Sequence, residues 1–297
     1  MRLEDQLIDN EINRENLAKL KEGFSKDFIP FIGAGSSVPL GEYNWNDLFK
    51  KMKTSLGINV RLAKDSSGQP DYPRSFSKLY RKMENKSEFF TQVFQNIEPT
   101  ETSFTASHIN IVESFECYVT TNYDTPIEKA YYNQKKQKIK RHFFSCYEME
   151  DFKGGIVYLH GHKDINFAIL KKEDYEYFYP SISRKNGIPI LEGFLENIYK
   201  LKTIIFIGFS FQDRYLHDFF HYLASKYRDN EKTHFLLTNA SDENKVKEKK
   251  FYYDFIREMK VYPIVYKEHI FIEQLLRELK IPATIPIIEE PKISPEV

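Results

Sequence analysis

The sequence predicts an α/β protein built on a doubly wound parallel sheet, with a helical module inserted into it. Three observations carry this expectation. Short apolar runs at Phe28 to Ile32, Val119 to Thr120, Ile156 to Leu159 and Thr203 to Ile207 each stop at glycine or polar residues, as strands buried on both faces of a parallel sheet do. The later runs are separated by segments of helical spacing, and strands alternating with helices argue for parallel pairing. From 41 to 115 no strand pattern occurs, so that stretch reads as a helical insertion between the first and second core strands.

In chain order, Leu7, Ile8, Ile12, Leu17 and Leu20 predict a helix over 4–22, followed by the strand at 28–32. Leu48, Phe49, Met52 and Leu56 predict a helix over 45–56. Residues 61–74, with Asp65-Ser66-Ser67-Gly68-Gln69-Pro70-Asp71, read as loop, and helices continue to Phe115. After Asp124 a helix runs to Asn133, with Pro126 tolerated in its first turn. Strands at 142–145 and 156–159 precede a second helical insertion near 165–200, rich in aromatics such as Tyr175, Tyr177, Phe178 and Tyr179. A strand at 203–207, helix at 214–226, strand at 234–238, helix at 243–258, strand at 261–266 and helix at 268–279 complete a single domain over 1–280. Residues 281–297 form a Pro-rich tail.

Lys+Arg and Asp+Glu both number 43, so the formal net charge is zero. A broad basic field is not expected, and neither is direct nucleic-acid binding; the local run Lys135 to Arg141 reads as a solvated helix end. Cys117 and Cys146 are too few for a disulfide framework and read as free thiols of a reducing compartment. No apolar stretch approaches the roughly 20 residues of a membrane helix, and Met1-Arg2-Leu3-Glu4-Asp5 lacks an apolar signal core. The expectation is a soluble cytoplasmic protein with no membrane partner.

Candidate chemistry gathers at four strand ends: Gly33-Ala34-Gly35-Ser36-Ser37, Thr120-Thr121-Asn122-Tyr123-Asp124, His160-Gly161-His162 and Gly208-Phe209-Ser210-Phe211-Gln212-Asp213. In open α/β sheets ligands bind outside the carboxyl ends of the strands, so these suggest one shared nucleotide site. Gly33, Ala34 and Gly35 either bring backbone N–H groups against a pyrophosphate or form an ordinary turn. Asn122 both donates and accepts, which suits ribose hydroxyls or a reactive water. Asp124 either orients that shell or caps the next helix. His160 either takes a proton from a ribose hydroxyl or water, or is structural. His162 has no matching role, and His108 reads as a packing residue. The histidines and cysteines lack paired metal-ligand spacing, so no metal site is expected.

The four motifs in this order resemble the sirtuin (silent-information-regulator) family, and most closely its bacterial branch of NAD-hydrolysing defence proteins, over roughly residues 25 to 270. The resemblance implies a Rossmann-like sheet with NAD as substrate. It implies Asn122 in the nicotinamide pocket and His160 as a catalytic pair, with Ser37 and Thr121 beside the glycine turn. Gly208 and Ser210 then lie on the adenosine side, Asp213 is either the defence-branch form of that motif or a helix cap, and Asn239 holds the adenine ribose. Where the family continues with a PDFR-like segment, Tyr43-Asn44-Trp45-Asn46-Asp47-Leu48 stands instead, with packing for Trp45 and helix capping for Asp47 as the plainer readings. The family's protein deacylases use a four-cysteine zinc module that two cysteines cannot make, so no zinc is expected. An NAD hydrolase is therefore expected over an NAD-dependent protein deacylase, with a non-catalytic NAD or ADP-ribose sensor as a third reading. Defence relatives are gated by oligomerisation or partners. The resemblance thus implies an activating partner, a helicase-like ATPase or an Argonaute-type protein. A homo-oligomer is also expected, through apolar faces at 1–22 and 170–200.

Overall fold

A computed structural model of the chain describes residues 3–41, 45–66, 68–97, 104–146, 152–209, 211, 213–239 and 249–280. Ser210, the Tyr43-Asn44 pair, residues 243–248 of the expected helix and the Pro-rich tail lie outside them.

Seven strands form one sheet: β1 (Phe28–Ile32), β4 (Tyr118–Thr120), β5 (Lys140–Phe143), β6 (Gly155–Tyr158), β9 (Thr203–Ile207), β10 (His234–Asn239) and β11 (Val261–Tyr266). Their order is β11-β10-β9-β1-β4-β6-β5, and every pairing is parallel. The chain builds outward from β1 in one direction through β4, then returns to β1's other side for β9, β10 and β11. The boundary between β1 and β9 is thus the topological switch point, where open α/β sheets bind ligands. Two short ribbons, β2 (Ala63–Lys64) with β3 (Pro70–Asp71) and β7 (Gly161–His162) with β8 (Phe167–Ala168), pair antiparallel. The first lies within the stretch expected to be loop.

All five residues of β1 are buried, as the unbroken apolar run demands. Alternate side chains feed two layers. Ile29, Phe31, Val119, Val157, Ile204 and Phe206 join one core with α9 (Ile190–Leu201) and α10 (Arg214–Lys226). Phe28, Ile32, Tyr118, Tyr158, Ile205 and Ile207 join the other, against α5 (Ala106–Ser114), α6 (Pro126–Lys135) and α12 (Ile270–Leu279). The stretch 41–115 divides accordingly. Helices α2 (Trp45–Ser55), α3 (Tyr72–Lys82) and α4 (Phe89–Ile97) close a separate core around Phe49, Met52, Phe76, Leu79, Phe89 and Val93, on which Trp45 packs through Tyr72 and Phe76. The fourth helix, α5, belongs to the sheet's own layer. The aromatic stretch forms α7 (Lys172–Phe178) and α8 (Pro180–Ser183) ahead of α9.

The N-terminal segment departs from the expected helix over 4–22. A 3-10 turn (Leu3–Gln6) precedes α1 (Glu11–Gly23). Between them Leu7 bridges Tyr266 antiparallel and the Ile8 N–H donates to the Val265 carbonyl. The chain gives up one helical turn to cover the exposed edge of β11, which would otherwise present unpaired backbone groups. Asn10 then restarts the helix, its side chain accepting from the Ile12 N–H. Buried Asn13 completes the junction: its amide donates to the Ile8 and Val265 carbonyls and accepts from the Val265 N–H, all at 2.8–2.9 Å. The expected apolar face at 1–22 is consequently interior, with Leu7, Ile8, Ile12, Leu17 and Leu20 all buried.

Asn13→Ala strands two buried backbone groups, the Ile8 carbonyl and the Val265 N–H, while the Val265 carbonyl keeps the Ile8 N–H; each is worth about 1 kcal/mol or more when left unpaired. It is expected to lower unfolding stability by about 2–4 kcal/mol in urea titrations. A change smaller than about 0.5 kcal/mol, the ordinary surface value, would show that the junction contributes nothing.

Candidate functional site

The register across the sheet lines up the motif-bearing strand ends. Leu237 pairs with Ile207, Ile207 with Ile32, Ile32 with Thr120, and Thr120 with Tyr158. One residue beyond this row stand Gly208, Gly33, Thr121 and Leu159; two beyond stand Asn239, Ala34, Asn122 and His160. Residues scattered over two hundred positions thus emerge along one line, because parallel strands that stop in register release their chains on the same edge.

At the switch point the two glycine turns touch. The Gly33 N–H continues the ladder to the Ile207 carbonyl at 2.9 Å, and the Gly35 N–H donates to the Gly208 carbonyl at 2.8 Å. Gly208 has φ +65, and a Cβ there would sit 2.2 Å from the Ser36 nitrogen. Cβ atoms at Gly33 and Gly35 would meet the Gly208 carbonyl at 2.6 and 2.8 Å. All three glycines are required for contact between the turns themselves. Of the three donors expected to face a pyrophosphate, those of Gly33 and Gly35 are thus occupied within the protein in this conformation, and the Ser36 and Ser37 N–H groups close a 3-10 turn onto Gly33 and Ala34. Ser37 is different. Its hydroxyl is fully buried with no partner among the described residues, an unmet polar group that a ligand hydroxyl or phosphate oxygen would satisfy.

Asn122 is held against this turn. Its N–H donates to the Thr120 hydroxyl, which in turn donates to the Ile32 carbonyl, and its side-chain amide donates to the Gly33 carbonyl at 3.2 Å. Thr120 is a positioning residue that motif reading passed over, although the Thr-Thr-Asn run holds it. The Thr121 N–H also reaches the Ile32 carbonyl. Asp124 does not cap α6: the cap position is Thr125. Asp124 instead lies near buried His108, whose Nε2 has no partner among the described residues and which burial pushes down to about 4 despite that carboxylate. Asp213 does cap α10, accepting from the Tyr215 and Leu216 N–H groups. Asn239 donates to the Tyr266 and Lys267 carbonyls, joining β10 to the chain leaving β11.

His160 is 1 % exposed. Its Nε2 meets the Tyr179 hydroxyl at 3.0 Å, and the Tyr175 ring stands edge-on at 5.4 Å. Tyr175 stacks on Tyr179 and Tyr215, and its hydroxyl donates to Asp213 at 2.8 Å. Helices α7 and α8 therefore lay a tyrosine cover over the histidine. Tyr175 and Tyr179 are fully buried, whereas Tyr177 and Ile188 stay exposed, so of the apolar face expected over 170–200 these two tyrosines are interior. Desolvation pushes His160 down to about 3 and pushes Asp213 up to about 6, against the hydrogen bonds from Tyr175 and the α10 backbone. His162 faces elsewhere, 3.5 Å from Glu128, which also receives Tyr158 and Arg141. Burial raises Glu128, but those three partners outweigh it and hold it at about 2. Arg141 also binds Asp164, so the basic run ends in a structural network.

Among the described residues no group of three His, Cys, Asp or Glu is arranged to hold a metal. Neither cysteine is in a disulfide, and burial pushes the Cys117 thiol up to about 12. No described helix is long and apolar enough to cross a membrane.

A family profile described as a SIR2-like domain matches residues 116–264, half of the chain. The chain is similar to proteins named NAD(+) hydrolase ThsA. It is 26% identical to that of Acinetobacter baumannii over 227 residues, 73% of this chain and 43% of the relative. It is 26% identical to that of Bacillus cereus over 225 residues, 75% of this chain and 45% of the relative. The Enterococcus faecium protein is 25% identical over 212 residues, covering 70% and 42%. The chain thus spans less than half the length of the curated relatives it matches.

Buried histidines make stability fall in acid. His160 and His234 sit at about 3 and His108 at about 4 when folded, against about 6.5 unfolded. The unfolded chain therefore takes up three more protons as pH drops below 6.5. Asp213, raised when folded, works in the opposite sense between about 4 and 6. The net of about two protons gives a loss on the order of 3 kcal/mol per pH unit between pH 6 and 4. Urea midpoints that stay constant from pH 7 to 5 would overturn the neutral, buried assignment.

Proposed function

The chain belongs to the SIR2-like domain family, and we propose that it is an NAD hydrolase cleaving the nicotinamide–ribose bond to nicotinamide and ADP-ribose. The observation that carries this is the placement of Asn122 and His160 on adjacent strands, each two residues past the paired Thr120 and Tyr158, beside a glycine turn with an unsatisfied buried Ser37 hydroxyl. The leaving pyridine nitrogen is already cationic. When its bond to ribose breaks, the electron pair neutralises it and the charge passes to an oxocarbenium-like centre, as in other glycoside cleavages. Water then adds at that carbon and gives up a proton. Asn122 suits the task of orienting that water or the ribose hydroxyls, and His160 suits that of accepting the proton. Ser37, Thr121 and the turns at Gly33 to Gly35 and Gly208 supply the remaining contacts, with Ser210, Asp213 and Asn239 towards the adenosine half.

The tyrosine cover supports a gated enzyme. A histidine fully enclosed by Tyr175 and Tyr179 meets neither substrate nor water, so turnover requires α7 and α8 to move off it. We place this activity in the cytoplasm, as an NAD-depleting effector of anti-phage defence. Opening would be driven by self-association or by an activating partner, a helicase-like ATPase or an Argonaute-type protein. Tyr177 and Ile188 of the expected apolar stretch are exposed, with Tyr132, Leu201 and Tyr253 on other parts of the described surface, and the gate adds a second reason to expect assembly.

Chromatography of NAD incubated with the protein, alone and with its genomic neighbours' products, tests the reading, with an acetylated peptide arm to separate hydrolase from deacylase. Nicotinamide is expected without peptide. Asn122→Ala and His160→Ala are each expected to lower turnover about 100-fold or more. His162→Ala is expected to reduce stability, through the partners it leaves, far more than it reduces turnover of the folded fraction. NAD left intact under every activating condition would reject the proposal.

The gate has its own test. Tyr179→Phe keeps the ring but removes the hydroxyl bonded to His160, a contact worth about 1 kcal/mol. Basal NAD cleavage is expected to rise about fivefold. Unchanged or lower basal cleavage, with activated turnover intact, would mean that this contact does not hold the site shut.

A further inference from the structure

A cavity of about 500 Å³ opens on the helical module, lined by Asn59, Val60, Arg61, Lys78, Arg81 and Lys82. Four of these six residues are cationic, in a chain whose formal net charge is zero. Arg81 is paired, its guanidinium 2.5 Å from Glu173. Lys82 donates to the Asn59 carbonyl. Among the described residues no carboxylate pairs Arg61, Lys78 or Lys82.

A plainer account covers part of this. Arg81 and Lys82 lie in the last turn of α3, where cations complement the helix dipole. That does not explain Lys78, in the middle of the helix and one turn from Lys82, where like charges repel. Nor does it explain Arg61, which arrives from the chain ahead of the β2–β3 ribbon and converges on the same cavity. A concave site of this volume falls within the range of small-ligand clefts. Three uncompensated cations there match a diphosphate group, which carries on the order of three negative charges at neutral pH. An extended polyanion such as nucleic acid would need a broad basic face instead, which the charge balance does not supply.

We infer that this cavity is a second ligand site, separate from the strand-end site, that binds a small diphosphate-bearing anion through Arg61, Lys78 and Lys82, with Arg81 as the fourth contact. Arg81 and Ser77 also hold Glu173, in the first turn of α7, so the ligand borders the tyrosine cover. Because the Arg81–Glu173 pair is largely exposed, drawing Arg81 away would shift opening by no more than about fivefold. The anion is thus a modulator and not the trigger.

Calorimetric titration of inorganic pyrophosphate and of ADP into the full chain, at matched ionic strength and without NAD, tests the site. Saturable binding is expected, weakened about tenfold or more in Arg61→Ala/Lys78→Ala and unchanged in Lys226→Ala/Arg228→Ala, a charge-matched control at a different surface cavity. Both altered pairs are exposed, and thermal melts confirm that each variant folds. Tighter binding of ADP than of pyrophosphate would identify a nucleotide as the source, and equal binding a free diphosphate. The inference is overturned if neither anion binds saturably at millimolar concentration. It is equally overturned if binding survives in Arg61→Ala/Lys78→Ala, or if only an oligonucleotide binds through these residues. Because the readout is binding, failure here leaves the hydrolase proposal untouched.

Discussion

Two backbone turns meet at the centre of the sheet with no side chain between them, and much of the site's geometry depends on that contact. The carbonyl of Gly208 accepts the Gly35 N–H, while the space each Cβ would occupy is already filled by the opposing backbone. Only glycine permits the approach. The contact fixes the ends of β1 and β9 in one row. Thr120 then carries that row to β4 by bonding both the Ile32 carbonyl and the Asn122 N–H, and the pairing of Thr120 with Tyr158 carries it to β6. Asn122 and His160 owe their adjacency to this chain of register, not to any direct bond between them.

The same burial that builds the cover sets the electrochemistry of the site. Enclosed by tyrosines, His160 is held well below its ordinary value, at about 3, by desolvation, which disfavours its protonated form. A histidine so disfavoured as a cation is a poor proton acceptor. Under the proposed gating, access and basicity would change together: an opening that admitted NAD and water would also restore the solvation that makes an imidazole a useful base. The coupling needs no dedicated sensor in the site, only a cover whose packing is marginal enough to be shifted. Tyr175 ties that cover to Asp213 at the head of α10.

Polar side chains elsewhere in the molecule act at the same kind of place, where a strand or edge must end. Asn13 closes the β11 edge, Asn239 ties β10 to the segment after β11, and Glu128 gathers Tyr158, Arg141 and His162 beneath β6. Each satisfies backbone or charge that burial would otherwise leave unpaired, which is why buried polar residues are concentrated there.

Apolar runs ended by glycine or polar residues were enough to locate the sheet strands to within about two residues, because burial on both faces of a parallel sheet is a local compositional demand. β1, β9, α10 and β11 stand where periodicity puts them. What the sequence left open depends on neighbours distant in the chain. The break at Leu7 to Asn10 appears only once β11 offers an edge to cover. Asp124 and Asp213 are equally good caps by residue type, yet only Asp213 faces a helix start. The tyrosines of 172–183 are equally suited to an outer face or to a core, and their position over His160 decides the matter. The basic cavity joins residues from a loop and a helix that no spacing rule connects. Local pattern determined where strands and motifs lie; long-range packing decided which faces are interior, which donors are occupied, and that the candidate base is covered.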